Sequence, residues 1–262
     1  MIDPRQARAA ADLLVAHRRA GTRIAHLPPD MRPAARADGY AVQACWMATT
    51  RVPLFGWKIA ATSTAGQRHI NVDGPIAGRI LAESVLPDGA VVPLAGNLMR
   101  VAELELAFRM GADLPPRARP YTVDEVIAAA ATLHPAIEIP DSRYEDFCAV
   151  GAPQLIADNA CGLLFMLGPA APFDWRGRDL AAHAVGADVA GKTHHEGQGR
   201  NALGDPRVAL AWLANELSGL GITLRAGEVV TTGTCLTPIQ VVPGDRVAAD
   251  FGDLGTLHVS FA

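Results

Sequence analysis

The residues best placed to do chemistry are three glutamates in apolar surroundings. The stretch Val101-Ala102-Glu103-Leu104-Glu105-Leu106-Ala107-Phe108 alternates acidic and apolar side chains. On a strand, alternate side chains share a face, so Leu104, Leu106 and Phe108 point into a core while Glu103 and Glu105 point the other way beside Ala107. On a helix the two glutamates would diverge by ~200°. Like charges on one strand face repel unless something positive lies between them. Taken alone, the stretch also fits a solvated strand face. A second stretch, Ala136-Ile137-Glu138-Ile139-Pro140-Asp141, sets one more glutamate between two isoleucines. Three carboxylates from two apolar strands suit a hard cation, Mg²⁺ or Mn²⁺, that takes oxygen ligands and keeps positions open. Zinc would call for His or Cys, and neither is placed here.

Gly56-Trp57-Lys58-Ile59-Ala60 supplies a cation. On a strand Trp57 and Ile59 face away from Lys58. A lysine in apolar surroundings has a depressed pKa and can act as acid, base or oxyanion partner. The alternative is a side chain that snorkels to solvent. His194-His195-Glu196 is a weaker candidate, because adjacent histidines on a strand face opposite ways and cannot chelate one ion.

These side chains need strands to carry them and helices to cover the strands. The strands are expected at Leu54 to Ala60, Val101 to Arg109, Pro135 to Ile139, Leu180 to His194, Val229 to Thr232, Arg246 to Phe251 and Thr256 to Phe261. Asp3 as cap and Pro4 at the first position open a helix that stops before Gly21. A second helix is predicted from Arg36 to Thr50. A third runs from the Thr122/Glu125 capping box to Leu133, and a fourth from Asp205-Pro206 to Gly219. No GxGxxG, GxSxG or HExxH is present. The fold class expected is α+β. Residues 1–52 would form a small helical N-terminal part and residues 53–262 a β-rich catalytic domain.

Composition narrows the class further. Of 262 residues, 50% are hydrophobic and 19% charged, enough apolar side chain for a real core. The 23 basic and 27 acidic residues give a formal charge of −4 with no basic block, which argues against nucleic acid. The N-terminus carries no secretory pattern, and no stretch reaches the ~18–20 apolar residues of a membrane span. Cys45, Cys148, Cys161 and Cys235 stand far apart, as reduced thiols of a cytoplasmic protein would.

The motifs taken in order resemble the fumarylacetoacetate hydrolase superfamily. They are Gly56-Trp57-Lys58-Ile59, Glu103-x-Glu105, Ala136 to Arg143, Ala157-Asp158-Asn159-Ala160, Thr232-Gly233-Thr234, and Pro243-Gly244-Asp245-Arg246-Val247 followed by Asp250-Phe251-Gly252. The nearest branch is that of 2-keto-4-pentenoate hydratases, 2-oxohept-3-enedioate hydratases and 4-oxalocrotonate decarboxylases. The resemblance implies a mixed β roll and a homo-oligomer, with a neighbouring pathway enzyme as a further partner. By the same resemblance Glu103, Glu105 and Glu138 match divalent-metal ligands and Lys58 an active-site lysine. The implied activity is metal-dependent hydration of a 2-hydroxy-2,4-dienoate or 2-oxo-alkenoate in aromatic catabolism. A decarboxylase is the runner-up, followed by a C–C bond hydrolase. A non-catalytic small-molecule binder is the distant alternative.

One departure stands out. Many hydratases carry Pro-Asp-x-Gly after the lysine strand, whereas here Ile76 follows Pro75. Asp73 is the candidate to replace the missing aspartate in proton transfer. Three further residues are candidates for substrate binding, each with a structural alternative. Arg143 could clamp a substrate carboxylate or pair with Asp141 or Asp158. Asp158 could line the site or form a turn. Thr234 could offer its hydroxyl or close a tight turn.

Overall fold

The computed structural model describes residues 2–49 and 53–262. The predicted helix end at Thr50 and the proposed boundary residue Val52 lie outside the described residues. Helix α1 (Pro4–Ala20) begins as its cap residues dictate. Asp3 accepts from the Arg5 N–H at 2.8 Å, and the Gln6 side chain accepts from the Asp3 N–H at 3.2 Å. It ends at Gly21, where φ is +63°. Helix α2 (Arg36–Ala44) continues into a 3₁₀ turn over Cys45–Thr49.

The chain then turns extended. In order come β1 (Leu54–Ala60), α3 (Thr64–His69), β2 (Ile76–Leu81), β3 (Val85–Leu86), β4 (Val91–Val92) and β5 (Val101–Met110). Helix α4 (Val123–Ala129) runs directly into β6 (Ala130–Ile139), followed by α5 (Gly151–Ala157), β7 (Leu164–Leu167), β8 (Ala184–Val189) and β9 (Thr193–Gln198). Helix α6 (Pro206–Gly219), β10 (Val229–Thr234), β11 (Ile239–Gln240), β12 (Arg246–Asp250) and β13 (Thr256–Phe261) complete the chain. Among the described residues no helix is long and apolar enough to cross a membrane.

The architecture is α+β with two mixed sheets. The larger has the order β2-β1-β10-β5-β6-β7-β3, with β11 added to β5; the smaller has the order β4-β13-β12-β8-β9. Strands β1 and β10 are parallel, whereas β5 runs antiparallel to both β10 and β6. The larger sheet is strongly curled. Strands β1 and β7 stand four places apart, ~19 Å in a flat sheet. Yet the Phe55 and Phe165 rings lie 6.1 Å apart. Ile80, Ala107, Ala136, Phe165 and Val229 close the inside of the curl as a small apolar cluster separate from the main core. On the other face Trp57, Ile59, Leu104, Leu106, Phe108 and Ile137 join the main core.

Two predicted elements are corrected. The helix expected to reach Leu133 ends at Ala129, because Ala130 to Glu138 pairs along β5, with Leu133 opposite Phe108. The strand expected from Leu180 to His194 is instead most of a hairpin. Strands β8 and β9 pair with Val189 opposite Thr193, and Gly191 takes a φ of +71° at the tip. Strands β2 and β7 and helices α3 and α5 were not anticipated; each is too short for a clear period.

Gly56 lets β1 and β10 approach, since a Cβ there would lie 1.9 Å from the Val229 carbonyl oxygen. Gly56→Ala is therefore expected to cost about 1–3 kcal/mol or more. It should lower the urea midpoint; an unchanged midpoint would contradict this packing.

Candidate metal and catalytic site

Strand register builds the site. Glu103 of β5 stands opposite Glu138 of β6, and Glu105 lies two residues along on the same face. One carboxylate oxygen from each of Glu103, Glu105 and Glu138 falls within 4.8 Å of the others. Glu105 and Glu138 are buried and Glu103 is partly buried. On the far side of β10, Lys58 is in register with Thr231. Strands β1 and β6 are three places apart, ~14 Å in a flat sheet. The curl nevertheless brings the Lys58 Nζ to 3.1 Å from Glu138 Oε1. The Ala160 carbonyl accepts a second bond from Lys58 at 3.0 Å.

Burial dominates the electrostatics. It pushes all three carboxyls upward, and Lys58 offsets this only partly. Glu105 rises well above its ordinary value because Glu138 and Glu103 add repulsion to its burial. Glu138 is pushed up to about 7. For Lys58, burial alone would lower the pKa, but Glu138, Glu103 and Glu105 together raise it. In the metal-free protein the expectation of a depressed lysine pKa is thus reversed: the three carboxylates favour Lys58 as an ammonium that donates hydrogen bonds.

The donor set fits a hard divalent cation. Glu105 Oε2 accepts from the Thr231 hydroxyl and from the Gly233 N–H, the latter at 2.7 Å. Among the described residues, Glu105 Oε1 and Glu138 Oε2 are buried and have no hydrogen-bond partner. An unpartnered buried carboxylate oxygen is costly. Two of them on carboxylates of one cluster are the arrangement that an oxygen-seeking cation relieves.

The remaining candidates are corrected by their surroundings. The Asp73 side chain is 86% exposed and pairs with Arg36 at 3.6 Å, so the structure does not bring it to the triad. Arg143 and Asp158 are both fully buried and bound to each other. Asp158 also accepts from the Arg143 N–H at 3.0 Å and from the Ser142 hydroxyl at 2.8 Å. Arg143 Nη2 donates to the Asp158 carbonyl. This is the structural pair, and it leaves neither group free to clamp a substrate. Thr234 is the register partner of Glu105, but its hydroxyl donates to the Leu236 carbonyl at 2.7 Å within its own turn. His194 sits on the exposed hairpin, held by Asp188 at 2.7 Å.

Three contributors escaped the sequence reading: the Thr231 hydroxyl, the Gly233 N–H and the Ala160 carbonyl. The Thr231–Thr234 run could have pointed to the first, since Thr231 and Gly233 alternate on a strand as Glu103 and Glu105 do. The backbone groups carry no side-chain signal.

Two predictions follow from these geometries. A Glu138 carboxyl raised from 4.5 to about 7 holds a proton that the unfolded chain has lost. Its contribution to stability is present at low pH and disappears as pH rises through 7, leaving repelling charges in the metal-free protein. Mg²⁺ should therefore raise the melting temperature more at pH 8 than at pH 6 in scanning calorimetry. Equal shifts would contradict this, and Glu138→Gln should weaken the pH dependence. Breaking the other buried pair with Asp158→Ala should cost about 3–5 kcal/mol in chemical denaturation. A substrate clamp would instead leave stability intact and raise KM.

Comparison with known proteins adds an independent line. The fumarylacetoacetate (FAA) hydrolase C-terminal family pattern matches residues 53–262. 2-Keto-4-pentenoate hydratase of Burkholderia vietnamiensis (strain G4 / LMG 22486) is 36% identical over 206 residues, 79% of this chain and 77% of that one. 2-Keto-4-pentenoate hydratase 1 of Dechloromonas aromatica (strain RCB) is 34% identical over 258 residues, 97% of this chain and 96% of that one. Among solved structures, 4-oxalocrotonate decarboxylase from Pseudomonas putida G7, complexed with magnesium and adipate, is similar with a TM-score of 0.89. It is 27% identical, and the match covers 100% of this chain and 99% of that one.

Proposed function

The chain belongs to the fumarylacetoacetate hydrolase family, and on that premise we propose that it is a divalent-metal-dependent hydratase. Its substrate would be a small 2-hydroxy-2,4-dienoate or the 2-oxo-alkenoate tautomer. The observation that carries the proposal is the buried triad with two unpartnered oxygens beside a fixed ammonium. Glu103, Glu105 and Glu138 would hold Mg²⁺ or Mn²⁺, which supplies a Lewis acid for a substrate oxygen that gains negative charge.

The protein's own groups do the rest. Lys58 has two acceptors in the protein and a third N–H for a ligand oxygen. It donates there and stabilises the enolate that forms as the dienol becomes a ketone. Thr231 and the Gly233 N–H hold Glu105 in place, with one of its oxygens facing the cluster.

Decarboxylation is the second reading, favoured by the full-length likeness to a decarboxylase. It shares the carbonyl and the enolate, but it needs a place for a second substrate carboxylate. Arg143, a candidate clamp for a substrate carboxylate, is already engaged by Asp158. The relatives named as hydratases also match along nearly the whole chain. Both points favour hydration. Family resemblance extends the proposal to a homo-oligomer, and the reduced-thiol reading to a cytoplasmic setting.

The test is to supply 2-hydroxypenta-2,4-dienoate and, separately, 2-oxohex-3-enedioate with Mg²⁺ or Mn²⁺. Formation of 4-hydroxy-2-oxopentanoate from the first is expected, with loss of turnover in EDTA. Release of CO₂ from the second without hydration of the first would overturn the hydratase in favour of the decarboxylase.

A further inference from the structure

The segment after α5 is unusual. Asn159, Ala160 and Cys161 take φ of +55°, +49° and +61°, and none is glycine. Left-handed backbone costs roughly 1–2 kcal/mol per such residue. Three in succession persist only where the surroundings over-determine them. Asn159 is buried, and its side chain makes a two-point contact with β2. Its Oδ1 accepts from the Arg79 N–H at 2.7 Å, and its Nδ2 donates to the Arg79 carbonyl at 2.8 Å. The amide therefore occupies the free edge of β2 as a neighbouring strand would. The next residue, Ala160, turns its carbonyl onto the Lys58 ammonium at 3.0 Å.

Gly78 makes this approach feasible. It is the register partner of Lys58 in β2. A Cβ there would lie 2.5 Å from the Asn159 carbonyl oxygen and 2.9 Å from Lys58 Cδ. The turn, the lysine stem and the bare backbone of β2 are thus packed as one unit. The lysine has a flexible four-carbon stem, and two acceptors and one wall hold it.

We propose that Asn159 and Gly78 are positioning residues for Lys58. The left-handed turn, clamped to β2 through the Asn159 amide, fixes one ammonium N–H through the Ala160 carbonyl; with Glu138 holding a second, the third is left for the space beside the triad. The part that concerns turnover rests on the hydratase reading; the part that concerns the lysine's geometry does not.

The composition offers a direct probe. The chain contains only two lysines, Lys58 and Lys192. Lys192 is half exposed. In protein labelled with ¹⁵Nζ-lysine, the buried Lys58 ammonium should give a slowly exchanging ¹H–¹⁵N signal, assigned by its loss in Lys58→Met. Asn159→Gly keeps the left-handed backbone accessible and removes the clamp; Gly78→Ala pushes on the stem. In both, the Lys58 signal should shift and its hydrogen exchange should quicken by about tenfold or more, with Mg²⁺ still bound. Turnover of the dienoate should fall in kcat by roughly 10- to 100-fold with little change in KM. Adding Asn159→Gly to Lys58→Met should lower kcat no further. An unchanged Lys58 signal in Asn159→Gly, or additive losses in the double variant, would overturn the proposal. If Gly78→Ala does not fold, Asn159→Gly decides alone. If the wild type turns over neither substrate while the Lys58 signal still responds to Asn159→Gly, the positioning stands and the hydratase reading falls.

Discussion

Three carboxylates with oxygens within 4.8 Å of one another, deep in a curled sheet and faced by a single ammonium, are an electrostatic problem that the surrounding fold is arranged to hold. Burial and mutual repulsion both oppose ionisation. The protein answers with Lys58, the Thr231 hydroxyl and the Gly233 N–H. Among the described residues these leave Glu105 Oε1 and Glu138 Oε2 without a hydrogen-bond partner. A cluster so placed adds nothing to stability on its own. A divalent cation turns its repulsion into ligation.

The curl of the larger sheet makes the cluster possible. Lys58 belongs to the first sheet strand in the sequence and Glu138 to one that follows it by about eighty residues; in a flat sheet they would not meet. Curvature brings β1 round towards β6 and β7, and the Phe55–Phe165 contact and the small inner cluster keep it there. The opposite face joins the main core, so the polar cluster is carried by strands that are anchored from behind.

Much of this was legible in the sequence. The alternation around Glu103 and Glu105 fixed both their strand and their shared face, and the capping residues set the start of α1 and α6. Glu138 could be paired with them because it too sits between apolar neighbours. Register was not legible: nothing local says that Lys58 lies against Thr231, or that Glu103 stands opposite Glu138. For Arg143 a substrate clamp and a pair with Asp141 or Asp158 both fitted the sequence, because Asp158 is fifteen residues away beyond an intervening helix and only the fold shows that the two meet. Asp73 lies near the lysine motif in the sequence, but its loop carries it to the surface. The Lys58 pKa was misjudged for the same reason: its apolar strand neighbours are visible in the sequence, and the three carboxylates that outweigh burial are not.

Where a divalent ion binds decides whether this cluster is a metal site. Crystals grown with Mn²⁺ and measured at the manganese absorption edge answer that directly. The account predicts one anomalous peak per chain, among the carboxylates of Glu103, Glu105 and Glu138 and beside Lys58. A map with no peak there, or with its strongest peak at another cluster, would contradict it.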